Sequence, residues 1–420
     1  MYVISKNGQP LMPTNRYGKV HRLLKNKQAK VLKHCPFIIQ LLYEPKTHIV
    51  QEVVLGQDTG SKHIGTACIA NDKVLYQSQI ELNDQIKSKM DRRRNYRRLR
   101  RSRKTRYRKP RFLNRKKSIR KDRLPPSVKH KVQAHKDEIS FCENILPISK
   151  KVFEVSQFDT ALMKNPALIN ERVKHWGYQK GFNYEYGSRK EAVLNRDNYT
   201  CQLCSKKHIR LEVHHIIFRS NGGTDDENNL ITLCETCHKG IHDGIIILNK
   251  KPKKMNLKYA THMSIIRSQL LKAYPEAIET LGFVTKTNRE NLSLLKDHYI
   301  DACVIASGGK NFISNDVIYQ KRRVSKGDYQ LTKGDHGQQR LPVGKIYGFR
   351  KFDKVSYLEC ECFIKGRRSK GNFVLMDINN KSLDFSSIGG LKNPSYKKLK
   401  RIAARSSTLI EELSVVPMLG

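Results

Sequence analysis

CQLC (201–204), LEVHHII (211–217), GGTDDENNL (222–230) and CETCHKGIH (234–242) follow one another between Cys201 and His242. Two Cys-x-x-Cys pairs flank a His-His pair, an Asn and a further His. Four thiolates at this spacing, Cys201, Cys204, Cys234 and Cys237, suit a closed tetrahedral structural Zn²⁺ site. The segment has few large apolar residues and would struggle to fold without such a staple. The alternative is four buried cysteines or two disulfides. The chain has ten cysteines, and its opening MYVISKNG lacks the apolar core of a secretory signal. A reducing, cytoplasmic setting is therefore expected, which favours metal over disulfide.

His214-His215-Ile216-Ile217 reads as a strand end, Asn229-Leu230 as the return path and Cys237-His238 as a helix start. Residues 185–245 resemble the HNH (ββα-metal) nucleases. The resemblance implies that His215 is the general base that activates water and that Asn229 fixes the loop orienting it. It also implies that His214 and His238 hold one Mg²⁺ on the scissile phosphate, with His242 read only as a brace. An imidazole with a pKa near ~6.5 is suited to taking a proton from water at neutral pH. A bound ion offsets charge on the leaving oxygen.

A second set of residues is scattered along the chain. VVLGQDTGSK and the alternating run after it (53–82) predict three strands joined by tight turns, with Asp58 ending the first. KVFEVSQFD places Glu154 in another strand, and LLKDHYIDACVIASG predicts a helix with His298 and Asp301 on one side. Singly, an Asp after a strand is a turn former and a Glu in a strand faces solvent. Together the three pieces resemble the split RuvC nuclease, an RNase H-like fold. That resemblance implies that Asp58, Glu154, His298 and Asp301 hold two Mg²⁺ ions, which prefer hard oxygen ligands. Gln57 stands where an Ile or Val is more common, and it is expected to point away from the metals.

The formal net charge is +43 over 420 residues, which implies a polyanionic partner. Between Arg92 and Arg123 lie 19 Lys or Arg and one acid, Asp122. The run holds Arg92, Arg93, Arg94, Arg97, Arg98, Arg100, Arg101, Arg103 and Arg106 without a Gly, and its first Pro is Pro110. Arg and Lys are good helix formers. Met90, Tyr96, Leu99 and Tyr107 are too few for a core-facing stripe, so phosphate would order such a helix. The bland alternative is a disordered basic segment. The run resembles the arginine-rich bridge helix of RNA-guided nucleases, whose guanidinium forks grip guide-RNA phosphates.

Pro10-Leu11-Met12-Pro13 matches the opening motif of the PLMP domain, after which RYGKVHRLLKNKQAKVL (16–32) predicts a basic helix and PFIIQLLYE (36–44) a strand. Taken in order, the whole chain is similar to the IscB family, transposon-associated RNA-guided DNA endonucleases related to type II CRISPR effectors. The C-terminal hundred residues predict short strands and a small β-barrel. Arg350, Lys365, Arg367, Arg368 and Lys370 are candidates there for contacts with guide RNA and the target-adjacent motif, against a merely solvated basic face. Cys360 and Cys362 have no facing pair and are assigned no metal.

The expected fold class is multidomain α/β, an RNase H-like split core with an inserted ββα-metal domain. The expected parts are a PLMP domain at 1–50, RuvC segments at 51–86, 125–174 and 256–318, and a bridge helix at 87–124. The HNH domain is expected at 175–255, with edges near His175-Trp176-Gly177 and Pro252-Lys253, and the guide- and motif-contacting region at 319–420. The resemblance implies a monomeric protein in a ribonucleoprotein with an omega-type guide RNA and a double-stranded DNA target, and no membrane. HNH would cut the guide-paired strand and RuvC the displaced one. The alternatives are a protein-only HNH homing or restriction enzyme, or a guide-binding protein that occludes DNA without cutting.

Overall fold

The computed structural model describes residues 1–45, 50–102, 124–156, 158, 163, 186–207, 209–221, 223–249, 257–325 and 344–414, except the side chains of 99–102. The chain divides into two compact units, Met1–Gln157 with His262–Gly420, and Phe158–Thr261. The result is a multidomain α/β protein with mixed sheets. Among the described residues, no helix is long and apolar enough to cross a membrane.

The larger unit is built on a seven-stranded sheet. Its centre is the expected three-strand meander, β4 (Val53–Asp58), β5 (His63–Ala70) and β6 (Lys73–Glu81). β4 and β5 are antiparallel, as are β5 and β6. β7 (Ile148–Glu154) lies parallel beside β4, and β10 (Ile278–Thr280) parallel beside β7. On the other edge β11 (Val317–Arg323) pairs parallel with β6, and β16 (Thr408–Ser414) antiparallel with β11.

Helices cover both faces. On one side α3 (Pro126–Ile145) and α6 (Lys258–Ala273) bury Val132, Ile139, Cys142, Ile266 and Leu270 against Val53, Leu55, Tyr76 and Phe153. On the other lies α8 (His298–Ser307), whose Ala302, Cys303 and Ala306 meet Ala67, Ile69 and Val74. The helix is buried throughout Asp301–Ala306. Two glycines set its closeness to the sheet. A Cβ on Gly56 would stand 2.6 Å from the Ala306 nitrogen, and one on Gly65 would collide with the His298 carbonyl.

Beneath α3 sits a buried polar knot. Lys321 Nζ donates to both Glu138 oxygens (2.7 and 2.8 Å) and to the Tyr76 hydroxyl (2.5 Å), while Tyr76 and Ser78 donate to Glu138 (2.6 and 2.8 Å). It ties α3, β6 and β11 together at full burial, with every charge partnered.

The N-terminal segment forms a three-stranded sheet, β1 (Tyr2–Ile4), β3 (Ile38–Leu41) and β2 (Ala29–Lys33), with α1 (Tyr17–Lys25). The basic helix expected to run to Leu32 ends at Lys25. Lys27 takes a left-handed conformation (φ +56°), and the chain turns back to pair 29–33 with 38–41. The basic helix α2 (Ile86–Ser102) is present, with Arg92, Arg93, Arg94, Arg97 and Arg98 exposed. Arg103 and Arg106 lie outside the described residues, as do the side chains of Arg100 and Arg101.

In the C-terminal region, β12 (Lys354–Tyr357), β13 (Cys360–Arg367), β14 (Phe373–Met376) and β15 (Lys400–Ala403) form an antiparallel four-stranded sheet in the order β14-β13-β12-β15. Among the described residues no closing pair joins β14 to β15, so these four strands form an open sheet where a barrel was expected. Strands β11 and β16, on either side of it in sequence, belong to the seven-stranded sheet, because Lys321 on β11 is committed to the knot below α3.

In the smaller unit, α4 (Arg189–Arg196) precedes the hairpin of β8 (Leu211–His215) and β9 (Leu230–Cys234), and α5 (Glu235–His242) follows. Asp197 holds the first to the second: it pairs with Arg196 (2.8 Å) and accepts from the Thr232 amide (2.9 Å). The expected edges at His175-Trp176-Gly177 and Pro252-Lys253 lie outside the described residues.

Because the knot buries a complete ion pair, removing one partner leaves an uncompensated charge. Lys321→Met should cost about 3–5 kcal/mol, and Lys321→Met with Glu138→Leu distinctly less. Denaturant melts of the two variants check this; equal losses would contradict it.

Candidate active sites

Hairpin β8–β9 and helix α5 gather two sets of metal-ligating groups. The Sγ atoms of Cys201, Cys204, Cys234 and Cys237 all lie within 4.8 Å of one another. Cys201 and Cys204 come from the loop after α4; Cys234 ends β9, and its sulfur caps α5 by accepting from the Cys237 amide (3.4 Å). Packed around them are Ile231, Leu233, Leu211 and Ile241, a core of modest size. Four converging thiol groups on a fold this small fit a structural metal such as zinc.

The second set is drawn from β8 and α5. Nitrogens of His214, His238 and His242 also fall within 4.8 Å of one another. His238 and His242 are one helical turn apart on α5, so both rings face His214 across the hairpin. His214 is buried, and its Nε2 has no hydrogen-bond partner. Burial, then the neighbouring imidazoles, push its pKa down to about 4, so its lone pair is free at neutral pH. His238 Nδ1 donates to Glu212 Oε2 (2.9 Å), which fixes the ring and leaves Nε2 for a ligand bond. His242 is therefore gathered with the ligand set, beyond the bracing role expected for it. Three imidazoles suit zinc or a transition-metal ion better than Mg²⁺, which favours oxygens.

His215 is the next residue on β8 and turns toward the adjoining loop. Its Nε2 meets Asp225 Oδ1 at 2.8 Å, and Asp225 also accepts from Arg219 (2.9 Å). These bonds, first His215 and then Arg219, hold the Asp225 carboxyl below its usual range. Asn229 is buried and clasps the loop. It accepts from the Ile217 amide (2.9 Å) and donates to the carbonyls of Ile217 and Thr224 (3.1 and 2.8 Å). A cavity of about 290 Å³ opens here, lined by His214, His215, Phe218, Arg219, His238 and His242 among others.

The larger unit brings the other four candidates to one end of its sheet. Asp58 and Glu154 are register partners at the ends of parallel strands β4 and β7. Helix α8 delivers His298 and Asp301. His298 Nδ1 meets Asp58 Oδ2 at 2.6 Å, a bond that raises the histidine's pKa, and His63 on β5 stacks on it (5.3 Å, 19°). Asp301 is bound by Arg289 of α7 (Gly282–Asn291) at 2.5 Å. Burial raises the Asp58 pKa, and burial with the Asp58 charge pushes Glu154 up to about 7. A carboxyl crowded in this way favours an added cation. Among the described residues, however, these four do not form a cluster as tight as the cysteine and histidine sets. Gln57 is fully buried and reaches toward Thr66 (3.5 Å).

The sequence reading missed Glu212, Asp225, Arg289 and His63. Glu212 lies two residues before His214, on the same side of β8, which a period-two reading could have found. Asp225 comes from a loop, Arg289 from another helix and His63 from the start of the neighbouring strand, and none left a local signal. In the C-terminal region Arg350 and Arg368 are exposed, whereas Arg367 donates to the carbonyls of Gly344 and Phe349 and Lys365 to Asn380 and Ser382. The last two are thus engaged within the fold.

Residues 1–181 match a family model described as RRXRR protein, and residues 201–244 one described as HNH endonuclease. The chain carries RRLRR at 97–101. Anaredoxin of Nostoc sp. (strain PCC 7120 / SAG 25.82 / UTEX 2576) is 36% identical over 61 residues, 14% of this chain and 80% of that protein. The type IV methyl-directed restriction enzyme EcoKMcrA of Escherichia coli (strain K12) is 32% identical over 96 residues, 22% of this chain. The match spans 29% of that enzyme's length.

If the three histidines form one centre, Glu212→Gln should weaken its Co²⁺ affinity by about 10–100-fold and His242→Ala by more. Titration followed by the Co²⁺ visible spectrum reads this directly; unchanged affinity in both variants would exclude the centre. Separately, Cys234→Ser should release the structural metal and make residues 186–249 sensitive to protease, while the wild-type chain resists.

Proposed function

This chain belongs to the IscB-like HNH nucleases and is a metal-dependent DNA endonuclease, and from that premise we propose that an RNA guides it to its DNA target. In this reading the seven-stranded sheet is an RNase H-like split RuvC core, and α2 is the bridge helix that grips the guide. The reading rests above all on the meeting of Asp58, Glu154, His298 and Asp301 at one sheet end. They come from three segments, with Asp58 and His298 240 residues apart, in a chain that also carries an HNH domain. A second nuclease centre beside an HNH domain suits an enzyme that cuts both strands. The exposed arginines of α2 add a sequence-independent grip on phosphate, with base pairing supplying most of the sequence information.

At the HNH centre, His214, His238 and His242 would hold a divalent ion, whose chemistry is to polarise the phosphate and offset charge on the departing oxygen. We favour zinc or a transition-metal ion there over the Mg²⁺ first expected, on the strength of the three imidazoles. His215 takes the proton of the attacking water. Its Nε2 is held by Asp225, so Nδ1 is the nitrogen that accepts. Asn229 keeps the 217–224 loop in place, and Arg219 offers its guanidinium to the phosphate from the same cavity wall.

At the sheet end, Asp58, Glu154, His298 and Asp301 would hold Mg²⁺, which supplies a metal-activated water and a clamp on the leaving oxygen. Arg289 and His298 balance the buried carboxylates Asp301 and Asp58. The HNH centre cuts the guide-paired strand and the RuvC centre the displaced strand.

A protein-only restriction enzyme is the second reading, favoured by the similarity to EcoKMcrA. Purification from cells carrying the native locus, sequencing of any bound RNA and cleavage before and after its removal separate the two. Co-purified RNA required for cutting is expected; robust cutting by RNA-free protein would overturn guidance. His215→Ala should leave a nick in the displaced strand only, and Asp58→Ala a nick in the paired strand only, read on strand-labelled duplexes. Loss of both cuts in either variant, with the complex intact, would contradict independent centres.

A further inference from the structure

The four-stranded C-terminal sheet carries an aromatic feature that the two nuclease centres do not use. Tyr347 and Tyr396 lie face to face, with ring centroids 4.0 Å apart and planes 6° from parallel. Tyr347 is 50% exposed, so much of its ring is open to solvent.

The arrangement is built by the backbone around it. Ile346 and Phe349 exchange both backbone hydrogen bonds (3.0 Å each), leaving Tyr347 and Gly348 as a two-residue turn. Both take positive φ, +46° and +83°. Asn, Asp or Gly is the ordinary choice at the first position of such a turn, and a bulky ring is held there at a conformational cost. Gly371 makes room for the stack: a Cβ there would stand 2.9 Å from the Tyr396 ring and 3.0 Å from that of Tyr347.

Positive charge adjoins the rings. Arg401 donates to the carbonyl of Gly348 (2.9 Å) and also lines a cavity of about 440 Å³ with Lys345 and Arg350. Among the described residues its one acid, Asp353, is buried, accepts from the amides of Arg350 and Arg405 (2.8 Å each) and lies 3.9 Å from Arg401. The cavity thus presents more cation than anion beside an exposed aromatic face. That combination fits a nucleotide: a base on the ring, a phosphate on the cations.

We propose that Tyr347, braced by Tyr396, is a stacking platform for one unpaired nucleobase of a bound strand, with the adjacent phosphate seated at Lys345, Arg350 and Arg401. The proposal rests on the nucleic-acid function above but not on RNA guidance. A base inside a duplex is already stacked, so the platform selects a single-stranded or everted nucleotide.

The test uses the full-length chain and single-stranded DNA and RNA oligonucleotides carrying 2-aminopurine. Fluorescence quenching and affinity are measured for wild type, Tyr347→Phe, Tyr347→Trp and Tyr347→Ala. Tyr347→Ala should lose affinity by about 5- to 150-fold together with the quenching, while the Phe and Trp variants keep both. Arg350→Gln should flatten the salt dependence by about 0.7 in log–log slope. A loss confined to RNA assigns the platform to a guide, and a loss confined to DNA to a target strand. Unchanged binding of both by Tyr347→Ala overturns the proposal. So does a Phe variant as weak as the Ala variant, since the ring would then be irrelevant. Quenching that persists in a chain found to carry no RNA removes guidance and leaves the platform standing.

Discussion

The contact on which the larger unit depends is that of helix α8 with the bare backbone of β4 and β5. Gly56 and Gly65 have no Cβ, and any side chain there would drive the helix away from the sheet. The closeness it allows is functional as well as structural. His298 begins α8 within hydrogen-bond reach of Asp58 at the tip of β4, and Asp301 follows one turn on. The two residues singled out as ligands thus ride on a helix whose height above the sheet two glycines determine. Glu154 arrives by a different route, through parallel register with Asp58. Position is set here by rigid elements, with no loop intervening between scaffold and side chain.

The two centres solve opposite electrostatic problems. At the sheet end, three carboxylates are brought under cover, and protein cations offset part of their charge: Arg289 on Asp301 and His298 on Asp58. Glu154 is left crowded, with its pKa pushed up to about 7. In the smaller unit the gathered groups are imidazoles, with burial keeping protons off His214. There the carboxylates stand one step back, Glu212 behind His238 and Asp225 behind His215, where they orient rings. The first centre demands cations from its surroundings, whereas the second offers lone pairs.

Much of this was legible because the signals were local. The Cys-x-x-Cys pairs, the His-His step and the meander at 53–82 all declare themselves within a few residues. Asp58, Glu154, His298 and Asp301 could be named because three short segments were each recognisable, although nothing in their spacing says that they meet. What escaped was set by tertiary packing. Lys321 reads as one more basic residue among many, yet it is the buried partner of Glu138. Its commitment draws β11 into the large sheet, and β16 pairs beside it, where a separate C-terminal barrel was expected. Likewise α1 stops at Lys25 because a left-handed turn and a strand pairing outweigh the helical preference of the residues beyond it. Arg289 and Asp225 act through partners 12 and 10 residues distant in sequence, across turns that no periodicity encodes.

The strand order of the large sheet also has a meaning for biosynthesis. β6 ends at Glu81, yet its outer neighbour β11 starts at Val317 and the edge strand β16 at Thr408. As the nascent chain leaves the ribosome, the meander emerges well before β11 and exposes an unpaired edge while the residues between Glu81 and Val317 are made. The small cysteine-bearing unit needs only nearby residues and can condense during that interval. A cell making this protein must therefore shield a half-built sheet until β11 and β16 have been made, so chaperone supply and elongation speed should govern its yield.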